Sequence, residues 1–193
     1  MKKLTLFALL MGIAGWTYGQ TNWNIDGSHT NIRFTTTHMI VSEVDGNFND
    51  FTGTVVTQGD DFDGAEIEFT IEVASIDTGN ERRDNHLKSD DFFNAEKFPQ
   101  IKFKGKLVKE GSDFFLVGNF TMRDVTKEVK FKTRYNGTID SGRAKKAGFK
   151  ITGTVNRFDY GLKWDRTIEA GGLVVGEEVE ITCNVELNEA TDG

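Results

Sequence analysis

Residues 65–73 read AEIEFTIEV, and along this stretch apolar side chains alternate strictly with polar ones. A period of two places the apolar side chains on one face of a β-strand and the polar ones on the other. The same kind of alternation recurs in residues 101–107, 129–135, 149–155 and 179–187. Strands with one apolar and one solvated face are typical of antiparallel sheets. The sequence therefore predicts an all-β protein.

The alternation predicts eight strands, separated by turns rich in Gly, Asp and Ser. One charged segment between the third and fourth strands, NERRDNHLKSDDFFNA, breaks the pattern and predicts a short helical insertion. In that segment Asn80 and Ser89 are each expected to cap the start of a helix. The strands are expected at residues 22–37, 44–57, 63–73, 98–108, 113–122, 125–135, 146–158 and 176–187.

Long amphipathic strands must bury their apolar face against a second layer or by closing on themselves. The sequence offers no set of apolar helices for a second layer, so we expect an eight-stranded antiparallel barrel. A sandwich of the same strands is the alternative. An eight-stranded barrel encloses either packed side chains or one small ligand, and the alternation alone fits both interiors.

The N-terminus differs from the rest of the chain. Lys2 and Lys3 precede an uncharged apolar run, and small residues near Gly19 offer a cleavage site. This order is typical of a secretory signal peptide, and the run is shorter than the about 20 residues of a membrane-spanning helix. We therefore expect residues 1–19 to be a signal peptide and residues 20–193 to form a single exported domain.

Charge and cysteine content exclude several classes of partner. The formal net charge is −7, or −9 without Lys2 and Lys3, which does not favour binding to nucleic acid. A single cysteine, Cys183, makes neither an internal disulfide nor a thiolate metal cluster. The three histidines lack the spacing of a metal-binding motif, so we expect neither a metal nor another cofactor.

Five segments, taken together and in this order, resemble the YceI-like family of exported bacterial barrels that bind polyisoprenoid lipids. The departures are small: Phe120 stands where Leu is usual, and Asp124 stands where Gly is usual in a turn. The segments are WNIDGSHTNIRFTTTHMIVSEVDGNFNDFTG (23–53), SIDTGNERRDNHLKSDDFFNAEKFPQIKFKG (75–105), GNFTMRDVTKEVKF (118–131), FKITGTVNRFDYGL (149–162) and VGEEVEITCNVEL (175–187).

The resemblance implies a lipocalin-like barrel with an elongated apolar tunnel, located in the periplasm. It implies a long-chain ligand such as a polyisoprenoid, an isoprenoid quinone or a prenyl phosphate, and a possible homodimer. It brings no catalytic mechanism, so we expect a binding protein that carries, stores or senses a lipid.

An isoprenoid chain has no hydrogen-bonding groups, so its affinity must come from apolar lining, at about 0.8 kcal/mol for each buried CH₂. Polar groups at one end would orient the head group, and His38 shares the face of Ile32 and Phe34 if the strand predicted at 22–37 continues to it without a bulge. The helical insertion adds aromatic residues at one mouth, where Phe93 is expected to act as a plug. The expected tunnel-lining residues are Ile32, Phe34, His38, Phe69, Ile71, Leu87, Phe92, Phe98, Phe103, Val129, Phe131, Phe149 and Ile151.

Two other functions stay open at this point. A barrel with a filled interior would act as an interaction module and would expose a large apolar patch instead of enclosing a cavity. A metal-assisted hydrolase would use His38 or His86 and would need a nucleophile and an orienting group within hydrogen-bond reach. No G-x-S-x-G motif is present.

Overall fold

The computed structural model describes residues 19–59, 61–168 and 171–190. The predicted signal peptide therefore lies outside the described residues, apart from Gly19. One helix, α1, spans Glu81–Lys88. The strands are β1 (Gln20–Ile25), β2 (Asn31–His38), β3 (Ser42–Phe48), β4 (Phe51–Gln58), β5 (Glu66–Glu72), β6 (Ile76–Asp77), β7 (Gln100–Glu110), β8 (Asp113–Met122), β9 (Val125–Asp140), β10 (Lys145–Asn156) and β11 (Val175–Glu189).

The sheet closes on itself into a barrel. Its order is β1-β4-β5-β7-β8-β9-β10-β11, and β11 pairs again with β1, where Trp23 lies opposite Glu189. Every pairing along this path is antiparallel. The predicted eight-stranded antiparallel barrel is therefore confirmed, and the sandwich alternative is excluded.

Three of the eight strands are interrupted once, which the alternation did not predict. The predicted strand at 22–37 is β1 followed by β2, and both pair with successive parts of β11. The predicted strand at 44–57 is β3 followed by β4. In the next strand line β5 pairs with β4 and the short β6 pairs with β3, so β6 continues the line of β5. The first break begins at Asp26, whose carboxylate accepts the backbone N–H of Ser28 at 3.0 Å. Such a turn is typical of Asp and takes the chain out of the ladder.

The predicted helical insertion is confirmed between the third and fourth strands, but it contains one helix. Asn80 caps α1 by accepting the backbone N–H of Arg83 at 3.1 Å. Ser89 does not cap a second helix, and that part of the prediction is wrong. Its hydroxyl donates to the carbonyl of His86 at 2.7 Å and so ends α1.

The β8–β9 hairpin shows how the chain turns without the glycine usual at this position. Arg123 and Asp124 both adopt left-handed backbone conformations, with φ of 49° and 58°. Two such residues form the tight turn that matches the twist of a hairpin, and Asp tolerates this conformation better than most residues. The side chain of Arg123 then donates to the carbonyls of Phe92 at 2.5 Å and Gly161 at 2.7 Å. This arginine ties the segment after α1 to the barrel.

Candidate ligand-binding cavity

A cavity of about 200 Å³ runs inside the barrel. All eight strand lines contribute to its wall, and most of the side chains are Phe, Ile, Leu and Val. Among the described residues that line it, the polar ones apart from Cys183 are Arg33, Thr36, Thr133 and Arg157. The interior is therefore an apolar chamber, and it is not completely filled by side chains.

The buried charge among these polar groups, that of Arg157, is already satisfied by the protein. The guanidinium of Arg157 donates to three backbone carbonyls: Gly176 at 2.8 Å, Leu162 at 2.6 Å and Val175 at 3.0 Å. Burial lowers the pKa of Arg157 from its usual value, because desolvation disfavours the charged form. These hydrogen bonds compensate the buried charge and pin the loop after β10 to the start of β11.

Ten of the thirteen expected lining residues lie in the wall of this cavity, and three do not. His38 lines a second pocket beside it. Val129 packs against the core cluster without reaching the cavity. Phe98 lies outside it, with the ammonium of Lys97 4.9 Å from its ring centroid. The ten are Ile32, Phe34, Phe69, Ile71, Leu87, Phe92, Phe103, Phe131, Phe149 and Ile151.

Aromatic rings in the cavity wall lie over glycines of the neighbouring strand. The ring of Phe34 covers Gly46, where an added Cβ would lie 2.2 Å from the ring. The ring of Phe131 covers Gly153, where an added Cβ would lie 2.0 Å from the ring. A glycine at each position lets the ring approach the backbone closely. The two rings therefore line the interior without filling it.

One end of the barrel is closed by Phe62, which the alternation did not reveal because it lies in a loop. Its side chain is 3% exposed and packs on Trp23 at 5.1 Å and Phe149 at 4.9 Å between ring centroids. The loop is held to β7 by two backbone hydrogen bonds, from Gly64 to Leu107 at 2.8 Å and from Leu107 to Ala65 at 2.9 Å. Phe62 is thus the plug of this end, and Phe93, the expected plug, lines the wall near the other end.

The other end leads into a second pocket of about 190 Å³, which we call the antechamber. The antechamber and the cavity share four wall residues, so the two spaces lie side by side. Shared by both are Thr36, Leu87, Phe92 and Val175. Lining the antechamber alone are Thr37, His38, Val44, Arg83, His86, Trp164 and Val174. The antechamber wall therefore includes polar side chains as well as apolar ones, whereas the cavity wall is almost wholly apolar.

Neither candidate histidine forms a catalytic arrangement. The Nε2 atom of His86 lies 2.8 Å from a carboxylate oxygen of Asp91, and its ring contacts Trp164 edge-on at 5.5 Å. The hydroxyl of Ser42 donates to the backbone carbonyl of His38, at 3.4 Å, and not to its ring. Among the described residues, no hydroxyl or thiol lies within hydrogen-bond distance of either ring. The geometry thus gives no support to the hydrolase hypothesis.

The third histidine, His29, lies on the outer surface, where it meets the carboxylates of Asp26 and Glu186. The ammonium of Lys146 lies 2.6 Å from Glu186 and 3.3 Å from Asp26, so a protein cation already takes the central place. Hydrogen bonds from Ser28, then His29, hold the pKa of the Asp26 carboxyl well below its usual range. The cluster fastens the break between β1 and β2 and is a structural ion-pair network.

Cys183 lines the cavity, and burial raises the pKa of its thiol to about 12. A thiol with so high a pKa is protonated at neutral pH and is a poor nucleophile or metal ligand. Cys183 therefore behaves as an apolar wall residue.

Exposed large apolar side chains are few among the described residues. Three of them, Met39, Ile40 and Val41, form the tip of the β2–β3 hairpin. The others, Val125, Tyr135 and Ile139, are separated along β9, and no broad apolar face results. This distribution, together with the internal cavity, disfavours the interaction-module hypothesis. Within the described part of the chain, no helix has the length and apolar character needed to cross a bilayer.

A closed antiparallel barrel around an apolar interior defines a lipocalin-like barrel protein. A family model described as the YceI-like domain matches residues 23–187. A UPF0312 protein of Staphylococcus aureus strain N315 is 36% identical over 170 residues, which cover 87% of this chain and 98% of that protein. The chain therefore belongs to the YceI-like family, as the sequence resemblance predicted.

Solved structures show the same fold. The Campylobacter jejuni YCEI protein superimposes with a TM-score of 0.67 at 29% identity, over 80% of this chain and 90% of that one. A polyisoprenoid binding domain from Saccharophagus degradans superimposes with a TM-score of 0.65 at 13% identity, over 87% of this chain and 98% of that one. At 13% identity the likeness is one of fold alone.

Proposed function

We propose that this protein binds a long-chain isoprenoid lipid in its barrel, with the chain in the cavity and the head group towards the antechamber. The observation that carries this proposal is the apolar cavity, closed by Phe62 at one end and adjoined at the other by a pocket whose wall includes His38, His86 and Arg83. A polyisoprenoid, an isoprenoid quinone and a prenyl phosphate all have this division into an apolar chain and a polar head. The polyisoprenoid binding domain from Saccharophagus degradans, which has the same fold, supports the assignment.

The free energy for binding comes from apolar contact. Each CH₂ group that moves from water into the cavity contributes about 0.8 kcal/mol. The cavity and antechamber together reach only the lower part of the roughly 300–1,000 Å³ range of small-molecule sites. A long chain therefore has to displace wall side chains, and Met122 is suited to this because it is unbranched and flexible.

We further propose that the protein is exported to the periplasm and acts there as a carrier, store or sensor of the lipid, and not as an enzyme. The apolar run that follows Lys2 and Lys3 supports export. The histidine geometry described above supports binding without catalysis. A homodimer stays a prediction, which is tested by measuring the molar mass of the purified protein by light scattering.

The test is to purify the mature protein from its host's periplasm and record its mass under native conditions before and after organic extraction. The proposal predicts an additional mass in the isoprenoid range that is lost on extraction and that identifies the lipid. A protein that carries no additional mass, and that takes up neither added quinone nor added prenyl phosphate, contradicts the proposal.

A further inference from the structure

We propose that the tip of the β2–β3 hairpin inserts into the surface of a lipid bilayer and holds this end of the barrel against the membrane. The tip consists of Met39, Ile40 and Val41, and we call it the apolar tip. The inference rests on the proposed function, because a lipid carried in the barrel has to enter it from a bilayer. It adds a surface that contacts the membrane, distinct from the cavity that holds the ligand.

The first observation is that the apolar tip is uncovered by the rest of the chain. Met39 is 42% exposed, Ile40 is 67% exposed and Val41 is 85% exposed. Between Phe34 and Ser42 the sequence contains no Asp, Glu, Lys or Arg, so no such charge within this stretch opposes entry into an apolar phase. Contact with acyl chains would remove these three side chains from water, which is favourable.

The second observation is that the backbone of the apolar tip is strained. The N–H of Val41 donates to the carbonyl of His38 at 3.2 Å and closes a tight turn with Met39 and Ile40 at its centre. Their φ angles are 51° and 67°. Hairpin turns of this form favour Asn-Gly or Asp-Gly, and a β-branched residue with positive φ is an outlier. Because such strain is typically kept at functional sites, it points to a role of these side chains outside the fold.

The third observation is that the apolar tip lies beside the antechamber. His38, the residue before the tip, lines the antechamber, and so does Val174. The backbone N–H of Met39 donates to the carbonyl of Val174 at 2.9 Å. The side chain of Ile40 lies over Gly172, where an added Cβ would be 2.7 Å from Cδ1 of the isoleucine. A bilayer that receives the tip therefore meets the antechamber end of the barrel.

A bilayer is the occupant that these observations favour over a protein. Three side chains at the point of a hairpin offer far less area than the about 800 Å² that each partner buries in a stable protein interface. A small apolar group is sufficient for weak and reversible contact with a membrane. The formal net charge of the chain is −7, so the contact is driven by apolar burial and not by attraction to anionic lipids. A neutral phosphatidylcholine bilayer is therefore the appropriate probe.

The experiment measures the partition of the mature protein onto phosphatidylcholine vesicles by co-flotation. The double variant Met39→Asn/Ile40→Gly carries the residues that this turn favours. We expect its partition coefficient to be at least about tenfold lower than that of the wild type, because burial of a single Met or Ile side chain contributes more than a factor of ten. The same variant should unfold at a higher urea concentration, since the strain is relieved. A merely structural role of the tip would not produce these opposite changes.

The matched control is Ile139→Ser, because Ile139 is 65% exposed and so resembles Ile40. Ile139 pairs with Lys146, next to Ala147, which belongs to the same core cluster as Phe62 at the opposite end of the barrel. Its loss should leave the partition coefficient within about twofold. A second variant, Val41→Asp, places a charge in the tip without altering the two strained residues. It should lower the partition coefficient as strongly as the double variant does.

Wild-type protein that does not float with the vesicles overturns the inference and leaves the proposed function intact. Equal partition of the wild type and Met39→Asn/Ile40→Gly overturns it as well, as does an equal loss in Ile139→Ser. A dimer that forms without vesicles and is lost in the double variant would assign the tip to a second copy of the chain instead. Uptake of geranylgeraniol without vesicles is the separate measurement: it should be the same in wild type and double variant, and its absence from the wild type contradicts the proposed function itself.

Discussion

Replacement of Gly153 by Ala should force the ring of Phe131 off the barrel wall. An added Cβ at this position would lie 2.0 Å from Cδ1 of Phe131, whereas ordinary contacts begin near 3.4 Å. The ring must therefore move by about 1.4 Å and lose its present contacts with the wall. Overpacking of this kind costs about 1–3 kcal/mol of unfolding free energy. The direction open to the ring is the cavity, so lipid affinity should fall as well.

Urea denaturation followed by tryptophan fluorescence measures the change, because a shift in midpoint at constant slope reports stability. The matched control is Gly148→Ala on the same strand, where an added Cβ would meet only ordinary contacts at 3.5 Å. We expect Gly148→Ala to stay within about 0.5 kcal/mol of the wild type. The double variant Gly153→Ala/Phe131→Leu should recover part of the loss. Gly153→Ala protein that is as stable as Gly148→Ala protein, with the same lipid affinity, would refute the reasoning.

Three further outcomes follow from the contacts. With a pKa near 12, Cys183 should have a thiolate fraction of about 10⁻⁴ at pH 8. Iodoacetamide should therefore alkylate Cys183 about a thousandfold more slowly in native protein than in urea-unfolded protein. Comparable alkylation rates would contradict the burial of the thiol. Since Ser28 and His29 lower the pKa of Asp26, the stability from Asp26 is complete above the unfolded-chain pKa near 4 and is lost as the pH falls below it. Asp26→Asn should therefore flatten the stability profile between about pH 5 and pH 2 in acid titrations of unfolding, and an unchanged profile would count against the network. Arg123→Ala removes hydrogen bonds to two loops and should lower the unfolding free energy by about 2–4 kcal/mol. Hydrogen exchange in residues 89–99 should become faster. An unchanged exchange rate there would show that other contacts hold the segment.

The alternation predicts most of the fold because each strand has one face in the barrel and one in water. It misses the three interruptions, although the sequence carries a signal for them. Trp23 and Ile25 are inward at odd positions, whereas Ile32 and Phe34 are inward at even positions. A change of phase within one apparent strand requires a break, because a shift of one residue exchanges the two faces. The same change separates Phe48 from Val55 in the next strand.

The candidate site was only partly predictable. The inward faces of regular strands identify wall residues such as Phe103 and Ile151, because periodicity fixes their direction. Phe62 escapes this reasoning because a loop residue has no period. The antechamber escapes it because Thr37, Arg83 and Trp164 belong to a strand, a helix and a loop that are distant in sequence. Which of these segments meet is decided by the closure of the barrel.

The most direct test of lipid binding inside the barrel is native mass spectrometry of the mature protein mixed with geranylgeraniol. The wild type is compared with two variants that carry a tryptophan at adjacent positions of β11. Ile181 faces the cavity, whereas Glu180, the residue before it on β11, is exposed. A tryptophan at position 181 would occupy the space of the chain, and one at position 180 would project into water. We expect one lipid per chain in the wild type and in Glu180→Trp, and little or none in folded Ile181→Trp. Wild-type protein that binds no lipid, or equal binding by both variants, would contradict a ligand site inside the barrel.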